Sequence, residues 1–484
     1  MHWRYQSGAP SVARVTTTLP TSTDLTPGTS TSHSPSTSTS TSTERAATPQ
    51  AATPSAPGTE RRLAASLWCA GLATFALLYA PQGLLTEVSA SLAVSPSRAA
   101  LLVSGATLGL AASVLPWAWV SDRVGRPEAM RLAAVASAVL AVLVPWLPTF
   151  ELLVVGRAVQ GAALGGIPAL AIALVHDSAA PARAAALAGS YVAATSVGGL
   201  AGRLLSVPVA EHLGWRLGLV AVGACLTALL ALLVVLLPHG AEHRARRVAA
   251  QRGAAGRPVP ARSGGHLRTH LRDGTLVSLF CIGGLLVGGL AAVFNYLPFR
   301  LEAQPYGLAP TVVSLVFLTY LAGTVGSRLA GALSDRWGPR VVLALACVLM
   351  GVGALVTLAR PLVVVVLGVT VLTTGLFVGH AVAASRVGAR ATTGRAQATA
   401  LYTVVYYAGA SLFGWLAGHA WDACGWPAVV ALVVALAAVA LVLAVRPQAA
   451  RRGRRSPGTP VVVQPVAVGR LVVDRPLAQV SGTA

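Results

Sequence analysis

Apolar runs long enough to cross a hydrocarbon core of about 30 Å recur along most of this chain. The first six cover residues 63–85, 99–120, 129–147, 152–175, 184–210 and 217–237. After a stretch rich in Arg, Gly and Pro, six more cover 276–297, 311–333, 341–358, 362–384, 396–421 and 427–445. The pattern predicts an all-α membrane protein with twelve transmembrane helices. Ser95-Pro96 and Ala309-Pro310 mark two helix starts, because a proline in the first turn lacks only an N–H that would have no partner there. The expected organisation is a six-helix half over 61–238, a middle loop over 239–273 and a second six-helix half over 274–446. Residues 1–60, rich in Ser, Thr and Pro, and the basic segment 447–484 have too little apolar surface to fold and read as disordered tails.

The two halves repeat in their residues. Ser121-Asp122-Arg123-Val124-Gly125, after the second run, returns as Ser334-Asp335-Arg336-Trp337-Gly338 after the eighth. Gly198, Gly202 and Gly214-Trp215 are echoed by Gly409, Gly414 and Gly425-Trp426. Two six-helix units in the same orientation are the pattern of a transporter with a central site between parallel halves.

Composition agrees, with 55% hydrophobic and 11% charged residues. The formal charge of +21 would by itself point to nucleic acid, but the arginines lie between the apolar runs and form no basic face. With a cytoplasmic N-terminus, 29 of them fall on the cytoplasmic side, four in outer loops (Arg98, Arg216, Arg300, Arg360) and three within helices (Arg157, Arg203, Arg328). This bias puts both termini and the middle loop in the cytoplasm. The chain contains no lysine, so it lacks the phosphate-cradling Gly-x-x-x-x-Gly-Lys-Ser/Thr loop of an ATP-driven pump. Cys69, Cys225, Cys281, Cys347 and Cys424 have no zinc or disulfide spacing, and His266 and His270 lack a third ligand. Neither a cofactor, a metal nor an enzymatic activity is expected.

In the Asp-Arg-x-Gly turns, Gly125 and Gly338 supply a backbone conformation unfavourable to other residues, and the acid can sit against a neighbouring helix N-terminus. Arg157 lies in an apolar run, where an arginine faces a polar cavity or a partner, or else snorkels to the helix end. His380 suits a proton carrier or a hydrogen-bonded structural role. The acids near the membrane runs (Glu87, Asp122, Glu128, Glu151, Asp177, Glu211, Glu302, Asp335, Asp422) all fall at helix ends or in loops, so a midplane carboxylate is absent. Tyr79, Gln82, Gln160, Tyr191, Thr195, Arg203, Asn295, Tyr402 and Tyr406 are the candidate lining of a substrate cavity, with helix packing the alternative for any one tyrosine.

Asp122-Arg123-Val124-Gly125-Arg126 resembles the loop signature of the major facilitator superfamily, and Gly156-Arg157-Ala158-Val159-Gln160-Gly161 resembles that superfamily's fourth-helix motif. Tyr79-Ala80-Pro81-Gln82, Gly198-Gly199-Leu200-Ala201-Gly202-Arg203, Gly379-His380-Ala381 and Tyr406-Tyr407-Ala408-Gly409 are similar to the YnfM-like exporters of the bacterial inner membrane. The resemblance implies the superfamily's fold in the lipid bilayer and export of a small amphipathic or sugar-like molecule against protons; a monomer is the expected state, which the sequence itself does not reveal. It also implies a loop latch of Asp122, Arg123, Gly125, Arg126, Asp335, Arg336 and Gly338, and proton coupling through Arg157 and His380. Uptake by a symporter or facilitator, and a non-transporting membrane sensor, are the alternatives. The chain departs from the pattern at Ala118, Pro127, Pro339, Thr195 and Arg386.

Overall fold

The computed structural model describes residues 57–179, 181–237 and 266–446. The C-terminal tail, residues 1–56 of the N-terminal tail and most of the middle loop lie outside the described residues. The membrane-length helices are α1 (Glu60–Gly83), α2 (Pro96–Val124), α3 (Arg126–Trp146), α4 (Phe150–Val175), α5 (Ala186–Leu213) and α6 (Trp215–Leu236). They continue with α7 (Gly274–Glu302), α8 (Pro310–Trp337), α9 (Pro339–Val356) and α10 (Leu362–Arg390). The last helical stretch, Arg395–Val445, breaks at Cys424 and Gly425, whose φ of 64° reverses the chain, and so supplies both α11 (395–424) and α12 (425–445). The twelve expected crossings are therefore present, although the last two share one continuous stretch with no loop between them.

Local chemistry explains the helix ends. Pro96 and Pro310 open α2 and α8, and the Ser95 hydroxyl accepts from Arg98 N–H at 3.3 Å. Pro127 and Pro339, which depart from the family loop pattern, stand in the first turns of α3 and α9 and are tolerated there for the same reason. Several helices run past their apolar stretch, since hydrogen bonding continues beyond the lipid core: α10 reaches Arg390, well after the run ending at 384. Part of the expected middle loop is also helical, over Leu267–Arg272, and Asp273 then caps α7 through the N–H groups of Thr275 and Leu276.

Packing repeats between halves. In the first, α1 lies along α5, α2 along α4 and α3 along α6; in the second, α7 lies along α11, α8 along α10 and α9 along α12. The halves meet where α2 touches α11 and α5 touches α8. Each half has its own apolar core, and large apolar side chains such as Leu132, Leu143, Val235, Leu321 and Val363 remain exposed, as a surface facing acyl chains requires.

Candidate substrate site at the seam between the halves

The seam is built from the ends of α1 and α7. Gln82 and Asn295 stand 213 positions apart, as do Asp122 and Asp335, so they are the same position of the two repeats. Gln82 Nε2 donates to Asn295 Oδ1 at 2.6 Å, tying the repeats to each other. From α5, Arg203 Nε and Nη2 both donate to Gln82 Oε1, at 2.7 and 2.5 Å. Its remaining bonds go to Gly199 O and, across the seam, to the Tyr320 hydroxyl at 3.2 Å. The rings of Tyr79, Phe317 and Tyr320 surround the guanidinium, 4.4 to 5.0 Å from its carbon, which compensates part of the charge. Arg203 is fully buried and makes no ion pair among the described residues.

Arg157 is placed differently. Pro81 has no N–H, so the Leu77 carbonyl four residues earlier loses its helical donor, and α1 tightens into a 3₁₀ turn over Ala80–Gly83. Arg157 fills the gap, donating to Leu77 O at 3.2 Å, Leu78 O at 2.7 Å and Leu102 O at 3.1 Å. Its side chain also holds Gln160, so both residues are occupied inside the first half rather than at the seam. Deeper along the halves, His380 Nδ1 lies 2.8 Å from the Tyr402 hydroxyl, and its ring sits 4.6 Å from that of Tyr406. Tyr406 contacts Tyr407 edge-on, and Tyr407 shares an apolar cluster with Tyr191 and Tyr79 of the first half. Thr195 hydrogen-bonds back to Val192 O on its own helix and is not gathered into this group.

The Major Facilitator Superfamily model matches residues 64–379 and 289–481. The chain belongs to the major facilitator superfamily. It is thus a multi-pass membrane transporter and not an enzyme. A Bacillus subtilis (strain 168) protein described as an uncharacterized MFS-type transporter, YybF, is 33% identical over 79% of this chain and 92% of its own length. The Escherichia coli (strain K12) inner membrane transport protein YnfM is 31% identical over 80% and 90%. Among solved structures, an inward-facing, unoccupied bacterial homologue of the human lysosomal transporter Spinster superposes with a TM-score of 0.62 at 16% identity, covering 81% of this chain and 95% of that one.

The superfamily loop residues stand apart from the seam. Gly125 and Gly338 have φ of 98° and 81°, the left-handed region that the Asp-Arg-x-Gly turn requires of glycine. Asp122 and Asp335 are exposed and make no hydrogen bond or ion pair among the described residues. Arg123 lies over Trp119 of its own helix, and Arg126 pairs with Asp177 and donates to Ala173 O, all within the first half. In this conformation neither arginine reaches the facing half. The bonds that join the halves lie toward the opposite end: Gln82 to Asn295, Arg203 to Tyr320, Ser411 to Ser104 O, Thr86 to Glu302, Thr311 to Glu211 and Ser97 to Asp422. Sequence reasoning missed Tyr320, Phe317, Ser104 and Thr86. None carries a motif, and only the repeat interval, which pairs Gln82 with Asn295, offered a route to the seam.

Proposed function

We propose that this chain moves a small molecule across the bacterial inner membrane by rocking its halves about the Gln82–Arg203–Asn295 seam. The observation that carries this reading is the direct bond between equivalent residues of the two repeats, with a buried arginine at its centre. A contact of that kind breaks when the halves rock, which couples ligand binding to the change of state. The distribution of arginines supports an orientation with the Asp122 turn and both termini in the cytoplasm. In that orientation the inter-half bonds close the outer side, and the Asp122 latch belongs to the alternate state. The motif resemblance to the YnfM-like exporters favours export in exchange for protons, with His380 the candidate proton carrier inside the membrane.

Uptake into inverted vesicles, with and without an imposed pH gradient, tests this. Wild type is expected to take up its substrate only with the gradient, and Gln82→Ala to lose at least about ten-fold of the rate, the cost of roughly one buried hydrogen bond. A second reading, a gradient-independent facilitator, is favoured by the placement of every described acid at a helix end or in a loop. Equal uptake in both conditions would select it. Absence of all uptake would favour a membrane sensor.

A further inference from the structure

The carboxamide oxygen of Asn295 is engaged by Gln82, yet its Nδ2 is buried without a partner, and so is the hydroxyl of Ser104. Both atoms face one spot: a Cβ on Gly414 would lie 3.1 Å from Asn295 Nδ2 and 3.2 Å from Ser104 Oγ. The repeat explains the vacancy. The 211-residue interval that separates Gly198 from Gly409 and Gly214-Trp215 from Gly425-Trp426 pairs Gly414 with Arg203, one position on from the Gly202 that the motif comparison set against it. In the first half an arginine side chain serves Gln82; in the second half the corresponding residue is glycine, and Asn295 keeps a free N–H pair. A buried donor without an acceptor is costly, and a ligand that supplies the acceptor at this spot relieves that cost.

Arg203 adds the sign of the charge. Its four bonds to Gln82, Gly199 and Tyr320 leave one Nη1 hydrogen unused, and no carboxylate pairs with it. A guanidinium held in low dielectric by neutral acceptors and rings gains more from an anion than from either. Two of its three rings, and the Tyr320 hydroxyl, belong to the second half. Parting the halves strips them away and leaves Arg203 facing the opened path.

Building on the transport reading, we propose that the molecule carried is an organic anion. Arg203 takes its carboxylate when the seam parts, and Asn295 Nδ2 with Ser104 Oγ takes a second acceptor on the same molecule.

Inverted vesicles holding the full chain test this with two matched sets: gluconate, glucose and glucosamine; and 4-hydroxybenzoate, 4-hydroxybenzyl alcohol and tyramine. Only the carboxylate members are expected to enter above the level of empty vesicles. Ser104→Ala deletes a hydroxyl that bonds to nothing in the protein, so the amount of folded protein should hold while KM rises about ten-fold. Arg203→Lys should keep the preference for the carboxylate, and Arg203→Gln should lose it. If Arg203→Gln fails to insert, Ser104→Ala and Arg203→Lys decide. Uptake of neutral or cationic members without the anions, or an unchanged KM in Ser104→Ala, overturns the proposal and leaves the transport reading standing. Uptake of no member counts against both.

Discussion

Two buried arginines in this transporter have opposite settings. Arg157 is spent on backbone carbonyls around Pro81, within one half, whereas Arg203 bridges the halves and has no acid partner. Arg157 thereby clamps the broken end of α1. A lysine cannot reproduce its fork, so Arg157→Lys is expected to lose about 2 kcal/mol of stability, read as a lower melting temperature in detergent. Asp273, at the start of α7, gives a pH-dependent counterpart. Burial would raise its carboxyl, but the Arg390 guanidinium at 2.9 Å and the N–H groups of Leu276 and Thr275 outweigh this and hold it below the usual carboxylate range. A lowered folded pKa contributes stability above the unfolded value, lost as pH falls through the folded one. Asp273→Asn should therefore melt lower than wild type near neutrality, by about 1 kcal/mol, and the gap should narrow below about pH 4. A constant gap down to pH 3 would refute the charged role.

At the scale of helices, close approach depends on particular glycines. A Cβ on Gly161 of α4 would run into the carbonyl of Ala106 on α2, whose backbone cannot give way. Gly161→Ala should cost about 2 kcal/mol or more in thermal unfolding, while Gly331→Ala, which meets nothing within 4 Å, should be neutral or slightly stabilising. Helix starts were legible because proline and capping residues act locally, as at Ser95-Pro96. Helix ends were not, because α10 continues through polar residues to Arg390, and the turn between α11 and α12 uses a single glycine rather than a loop.

At the scale of the molecule, the bonds between halves gather at the Thr86–Glu302 end, while Asp122 and Asp335 on the other face have no partner among the described residues. The two ends alternate if the halves rock. In a chain whose five native cysteines are replaced, Thr86→Cys with Glu302→Cys, bridged by a reducible thiol cross-linker, should trap the bonded end. The positions are suitable because their side chains touch at 3.0 Å. Cross-linking should stop transport, and reduction should restore it. Transport by the cross-linked protein would exclude rocking at this seam.

The sequence by itself determined the membrane class, the number of crossings and the twofold repeat, because apolar length, proline and glycine positions and arginine bias act within short stretches of chain. It also supplied Gln82, Arg203 and Asn295 as candidates. Only the tertiary structure decided what they touch. Whether a buried arginine meets carbonyls of its own half or a ring and an amide of the other depends on how distant helices pack, and no local pattern encodes that. The tertiary fold alone placed Gly414 beside Asn295 and brought the unpaired Asn295 Nδ2 and Ser104 Oγ to one spot.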